Sequence, residues 1–338
     1  MNITAFFIGL ASMFFAIFAI TILWWKKQRS RFQMVLGSIM AVWCLWCLKD
    51  LIITFPGMYS AKILNWIMII DGWSALTYMV LVCEVVTPGW VSWRRMGMVI
   101  LPFAAFTVTY GLWPTDYVIY AYAAFLWCFA WAVVIVGYIK MKRHLTYIHN
   151  EYSNIDKIDV SWLRPVFLFC IIGQLLWLAI SLMASPWADS VYYCIAIFLW
   201  LMVLYYSWNF QPIVVKPEPA PLQRQFSPIA EGELERIVEE QQLYLNKNLM
   251  LQDLAQALNT NRTYISSYLS QQRQQTFYDY INQLRIERVS IPLMKEHPEY
   301  KLDYVASESG FASLSTFRRA FIKLTGQTPG QKRDFTNN

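Results

Sequence analysis

Seven runs of about twenty mostly apolar residues follow one another before Phe210, and nothing else in the sequence constrains the fold as strongly. They lie near Ile3–Trp25, Phe32–Phe55, Ile63–Val86, Met96–Trp113, Tyr117–Ile139, Leu163–Ser185 and Trp187–Phe210. A helix of that length, rising about 1.5 Å per residue, crosses the roughly 30 Å hydrocarbon core of a bilayer. Inside that core every backbone N–H and C=O needs a partner within its own segment, which a helix supplies. The runs are expected to be transmembrane helices packed as a bundle.

Composition sharpens this. The chain has 338 residues, 57% hydrophobic and 15% charged. Through Phe210 there are thirteen Lys and Arg against eight Asp and Glu, whereas the remainder holds fifteen against fourteen. Charged residues thus make up about 10% of the first part and about 23% of the second, the latter an ordinary soluble value. All sixteen Trp and all six Cys precede Phe210. This division excludes a single soluble domain, a disordered chain and a secreted disulfide scaffold. The first apolar run is not expected to be a cleaved signal peptide, since Lys26, Lys27, Arg29 and Arg31 follow it instead of preceding it.

Basic residues accumulate on the cytoplasmic side of a membrane protein. They occupy the connections after runs one, three and five: the cluster just named, then Arg94 and Arg95, then Lys140, Lys142, Arg143 and Lys157, with Arg164 closing the last. The other connections, Pro56–Lys62, Pro114–Asp116 and Pro186–Asp189, are short and hold little beyond Lys62. The alternation predicts an N-terminus outside and a cytoplasmic segment after Phe210. Trp24, Trp25, Trp90, Trp93, Trp113, Trp162, Trp187 and Trp208 fall near run ends, where amphipathic rings favour the interface. With such short outer loops, a signal from outside must enter the bundle, arrive through lipid, or come from a partner membrane protein.

Residues 211–228 carry Pro212, Pro217, Pro219, Pro221 and Pro228 and are expected to be an extended tether. Beyond them the pattern is helical. Leu234, Ile237, Val238 and Gln241 recur at helical spacing, and Leu251, Leu254, Ala255 and Leu258 line one face. Asn259 suits a left-handed turn and Asn261 an N-cap, so Arg262–Ser270 reads as a second helix that buries Ile265 and Leu269. Two short helices joined by a tight turn describe a helix-turn-helix. A longer helix, roughly Thr276–Lys295 and interrupted by Pro292, follows. The pattern then recurs: Leu302, Val305 and Ala306, a break at Gly310, and a helix capped by Ser313 or Ser315 with Phe317, Arg318, Arg319, Phe321 and Lys323.

These residues resemble the DNA-binding domain of AraC-type regulators. Leu254-Ala255, Tyr264-Ile265-Ser266 and Tyr280-Ile281-Asn282-Gln283-Leu284-Arg285-Ile286-Glu287 are similar to its first half. Gly310-Phe311, Ser313, Ser315, Phe317, Arg319 and Phe321, followed by Gly326, Thr328 and Pro329, are similar to its second. The resemblance covers about Ile229–Phe335. It implies a transcription regulator whose two recognition helices enter successive major-groove segments of double-stranded DNA. Two departures stand out. Ser267, Ser270 and Gln271 replace the basic residues usual in the first recognition helix, and the closing motif reads Thr328-Pro329-Gly330-Gln331-Lys332-Arg333 without its aromatic. Fewer phosphate contacts and a net charge near +1 after Gln211 favour action as a homodimer or on paired half-sites.

Arg262, Thr263, Ser266, Ser267, Leu314, Ser315, Thr316 and Arg319 stand where base-edge contacts form, and Arg318 and Lys323 where phosphate contacts form; the alternative is a solvated helix face. Phe311, Phe317 and Phe321 are expected in the core. Within the apolar runs, ionisable residues default to functional candidates. Asp71 is the sharpest, either in sensing or in an internal pairing with Lys49; Lys49 and Asp50 lie toward the outer end of run two, and Glu84 is expected to reach the headgroups. Trp73, Gln174, Trp127, Trp131, Trp177 and Trp200 either line a pocket or pack. Cys44 and Cys47 form a Cys-x-x-Cys whose best reading is packing, and His144 and His149 are not spaced for one helical face. No metal site, cofactor motif or catalytic motif is expected, and the chain reads as a non-enzyme.

The sequence as a whole predicts an all-α protein. Residues 1–210 form a seven-helix transmembrane domain, 211–228 a linker, and 229–336 a cytoplasmic domain with two helix-turn-helix units. The expected setting is the bacterial inner membrane, and the bundle is expected to sense a small ligand or a partner membrane protein. Two alternatives stay open: a transporter-like or enzymatic bundle with a regulatory DNA-binding attachment, or a bundle that only anchors. Paired broken helices or internal repeats, which mark many transporters, are not evident.

Overall fold

A computed structural model describes residues 3–25, 30–55, 57–58, 60–183, 186–213 and 232–336. The linker expectation, from residue 214 onward, and the basic residues Lys26, Lys27 and Arg29 lie outside them. The protein is all-α, with no strand among the described residues. It divides into two compact units: Met1–Arg143 with Val160–Val215, and His144–Asp159 with Lys216–Asn338.

The first unit contains α1 (Ile3–Ile20, extended by a π turn to Trp25), α2 (Arg31–Lys49), α3 (Ala61–Gly72), α4 (Ala75–Val86), α5 (Trp93–Leu112), most of α6 (Asp116–Glu151), α7 (Leu163–Met183) and α8 (Pro186–Ser207). Among the described residues, six helical segments are long and apolar enough to cross a membrane: Ile3–Trp25, Arg31–Ile52, Ala61–Val86, Trp93–Leu112, Asp116–Glu151 and Ser190–Ser207. The seventh expected run corresponds to α7, whose described apolar part is Leu163–Leu175; its remaining side chains lie outside the described residues.

Local chemistry explains the helix ends. Ser30 and Gln33 form a capping box, each side chain accepting the other's backbone N–H at 3.2 Å, so α2 starts where the apolar pattern resumes. Ser12, which is buried, returns its hydroxyl to the Ile8 carbonyl at 2.9 Å and leaves no polar atom unpaired in an apolar setting. α1 packs on α2 and α8, and Phe15, Trp43 and Trp200 meet edge-on or tilted where the three converge. A second cluster, with Ile69, Phe103, Tyr110, Tyr122 and Leu126, joins α3 to α6.

The structure departs from the expected runs in three places. The third is broken between Gly72 and Ala75. Tyr122 donates its hydroxyl to the Ile69 carbonyl at 3.0 Å, and the Trp73 N–H bonds to Ile70 instead of continuing the α-helical ladder. A Cβ at Gly72 would stand 2.2 Å from the Tyr122 oxygen, so only glycine admits this contact. Second, Glu84 does not reach outward: it is buried and accepts from Arg31 Nε at 2.7 Å, since a buried carboxylate needs a cation. Third, Trp162 is buried against Phe210 and stacked on Tyr206, whereas Trp24, Trp25, Trp93 and Trp113 are exposed.

The second unit contains α9 (Glu233–Glu240), α10 (Leu251–Ala257), α11 (Arg262–Gln272), α12 (Phe277–Arg285), α13 (Ile291–Glu296), α14 (Leu302–Glu308), α15 (Leu314–Thr325) and α16 (Pro329–Thr336), together with the end of α6 and the segment up to Asp159. One core gathers Leu234, Val238, Leu254, Ile265, Leu269 and Ile281; the other gathers Ile286, Val305, Phe311, Phe317 and Phe321. The connecting helix passes from one to the other through a π turn, Ile286–Ser290. Pro292 has no N–H and its ring clashes with the carbonyl four residues back, and one widened turn absorbs both effects.

Candidate nucleic-acid interface and bundle cavity

The first helix-turn-helix is α10, the turn Leu258–Asn261, and α11. Asn259 adopts a left-handed φ of 47°, which a short amide side chain tolerates. Asn261 then caps α11 by accepting the Tyr264 N–H at 2.9 Å. Ile265 and Leu269 are buried, which turns Thr263 and Tyr264 outward, with Arg262, Ser266 and Ser267 partly covered. The second unit repeats the construction with α14, Gly310 and α15. Gly310 is required twice over: its φ is 84°, and a Cβ would lie 2.7 Å from the Tyr244 carbonyl oxygen. Ser313, not Ser315, caps α15 by accepting the Thr316 N–H at 3.3 Å.

On α15 the sequence candidates separate. Ser315, Arg318, Arg319 and Lys323 are exposed, Leu314 packs on the second core, and Thr316 is buried. Lys323 pairs with Asp279 at 2.7 Å. Arg318 is exposed and makes no ion pair among the described residues.

Between the two cores lies Arg285, 1% exposed. Its guanidinium donates to the carbonyls of Tyr244 at 2.7 Å and Asn246 at 2.8 Å, to Asn282 Oδ1 at 3.0 Å, and to the carbonyl and hydroxyl of Ser153, each at 3.2 Å. Burial among neutral acceptors brings its pKa down to about 10. Sequence pattern marked Arg285 only as part of the family motif; its role as a five-donor joint emerges from the fold.

The sequence assigns Lys140, Lys142, Arg143 and Lys157 to a basic connection after the fifth apolar run, and residues His144–Asp159 of that connection belong to the second unit. α6 continues through this stretch to Glu151, and the following residues pack within the second unit. Tyr152 forms a bridge with Met250, the Ser153 N–H donates to the Leu249 carbonyl at 3.1 Å, and the His149 ring meets the Tyr278 ring edge-on at 5.0 Å. Arg262 of α11 pairs with Glu151 at 3.1 Å. Thr316 of α15 bonds to Asp156, while Arg319 lies 3.7 Å from Asp156 and 3.9 Å from Asp159. One signal for this was present in the sequence: Glu151, Asp156 and Asp159 are three of the eight carboxylates before Phe210, crowded into an otherwise basic connection.

In the first unit, the break between α3 and α4 places Asp71 beside a cavity of about 180 Å³, lined also by Ser74, Tyr78, Trp127, Gln174 and Tyr192. Asp71 pairs with Lys49 at 2.7 Å; Lys49 also bonds to Asp50, which accepts from the Tyr193 hydroxyl at 2.5 Å. Trp73 does not line the cavity; its indole donates to Thr107 at 3.1 Å. Trp43 and Trp200 pack on each other and on Tyr78, and the side chain of Trp177 lies outside the described residues. Cys44 and Cys47 are unbridged, and no cluster of metal-ligating side chains occurs among the described residues.

Residues 254–334 match the family model of a helix-turn-helix domain, of the AraC type. The match runs from within α10 to within α16, and it points to DNA-binding transcription regulation for this region. No curated protein and no solved structure matches the chain.

Proposed function

We propose that this protein is a membrane-embedded, one-component transcription regulator, sited in a bacterial inner membrane, that reads double-stranded DNA with α11 and α15. The observation that carries the reading is the pair of side-chain-capped helices, each with an apolar face locked in a core and a polar face turned out, inside the region that matches a helix-turn-helix domain. Arg262, Thr263, Ser266, Ser267, Ser315 and Arg319 reach base edges; Arg318 and Lys323 hold phosphates. Leu314 and Thr316 position α15, Leu314 by packing and Thr316 by its hydrogen bonds. With few cations on the face, affinity comes from two copies on paired half-sites.

In the same reading the apolar helices form the membrane domain, and the cavity beside Asp71 is the signal-sensing site. Asp71, Gln174 and Tyr192 supply polar groups in an otherwise apolar wall, which suits a small amphipathic molecule. A chain that needed only an anchor has no use for a charged cluster at a broken span, because such groups are costly in lipid.

Genome-wide occupancy of the tagged full-length protein in its own membrane tests the DNA reading. Discrete enriched sites are expected, and Arg318→Ala with Arg319→Ala should abolish them. Occupancy indistinguishable from background in the unsubstituted protein would overturn the reading.

A further inference from the structure

We infer that the end of α6 and the segment joining it to α7 form an autoinhibitory clamp: their carboxylates occupy the DNA-reading helices in place of phosphates and must withdraw before DNA binds. The inference rests on the DNA-reading role of α11 and α15 and concerns how that face is controlled.

Three observations carry it. First, one short stretch reaches both recognition helices. Glu151 pairs with Arg262 at the start of α11, and Asp156 bonds to Thr316 and approaches Arg319 in the first turns of α15. These are the helix ends that enter a major groove. Second, the groups engaged are the ones DNA needs. Arginine prefers bidentate or paired oxyanions, and a carboxylate presents the same charge and acceptor geometry as a phosphate edge. With Arg262 and Arg319 engaged by the segment and Lys323 held by Asp279, Arg318 is the cation of the face left for DNA. Third, the stretch is seated, not draped. Ser153 is buried, its N–H extends the Leu249 backbone, and its carbonyl and hydroxyl complete the shell of Arg285. A register fixed at Ser153 puts Glu151 two residues to one side and Asp156 three to the other, toward opposite helix-turn-helix units.

The strengths suit a switch. Arg262 and Glu151 are partly exposed, and the approaches of Arg319 are long, so each ion pair is individually weak and competes with DNA on comparable terms. Because the segment is covalently continuous with α6 and α7, a change in the spacing of those helices reaches it through the backbone, without any torque along the Pro-rich linker.

The test uses the full chain in lipid nanodiscs and a fluorescein-labelled random-sequence 40-bp duplex read by anisotropy. Glu151→Gln, Asp156→Asn and Asp159→Asn together should tighten binding on the order of tenfold. The control Glu239→Gln, Glu240→Gln and Glu296→Gln makes the same charge change away from the clamp and should gain clearly less. Equal gains in the two triple variants, or none in either, overturn the clamp. As a second arm, Asp156→Cys with Thr316→Cys can be oxidised to lock the segment. Binding should fall on oxidation and return with reductant, and binding unaffected by the lock also overturns the inference. If no form binds the duplex, the DNA-reading role itself has failed; if all bind but none responds, only the clamp has.

Discussion

Two residues concentrate the architecture of the second unit. Arg285 joins the two helix-turn-helix cores by satisfying five backbone and side-chain acceptors at once, at the cost of holding a guanidinium away from water. Arg285→Ala leaves the carbonyls of Tyr244 and Asn246 without a donor and opens a void. It should destabilise the unit by about 3 kcal/mol, seen as lost hydrogen-exchange protection in both helix-turn-helix units together. If only one unit loses protection, Arg285 is not the joint. Gly310→Ala places a methyl against two backbone carbonyls at a left-handed φ. A loss of at least about 2 kcal/mol is expected in urea-dependent pulse proteolysis, well beyond the roughly 1 kcal/mol of the φ effect alone.

At the scale of elements, the two recognition helices depend on their caps. Asn261→Ala and Ser313→Ala each remove one acceptor from an otherwise unpaired N–H and should each cost about 1 kcal/mol. Each should also fray the helix start that faces DNA, so duplex affinity should fall with the cap while the opposite unit keeps its exchange protection. Most of this level could be read from spacing. The left-handed Asn259, the Asn261 cap, the buried Ile265 and Leu269 and the three core phenylalanines all follow from interactions within four residues. The misreadings occurred where a distant group intervened. The third apolar run looked continuous because nothing in it predicts that Tyr122, 53 residues on, takes the Ile69 carbonyl. Glu84 looked like a headgroup contact because Arg31, also 53 residues away, is adjacent only after α2 and α4 pack.

At the scale of the molecule, sensing is proposed for the bundle and DNA reading for the second unit, and the two separate by substitution. Asp71→Asn weakens the pairing with Lys49 at the cavity wall without touching α11 or α15. Regulated output from a reporter should become fixed, on or off, while the solubilised variant keeps its duplex affinity. Regulation that persists unchanged would remove Asp71 from sensing and return the bundle to the part of an anchor.

By itself the sequence determined the contrast between an apolar and a charged part, the helical content of both, the positions of turns and caps in the second, and the kinship of residues 254–334. Each of these rests on composition or on interactions between near neighbours, and those are written along the chain. Only the tertiary structure decided that Asp71 pairs with Lys49 at a broken helix, that Arg285 closes on Ser153, and that Glu151 and Asp156 lie on the helices expected to read DNA. The last two contacts join residues 111 and 160 positions apart. A charge has no period and no preferred sequence distance, so its partner is set by where the packing of apolar faces brings the backbone.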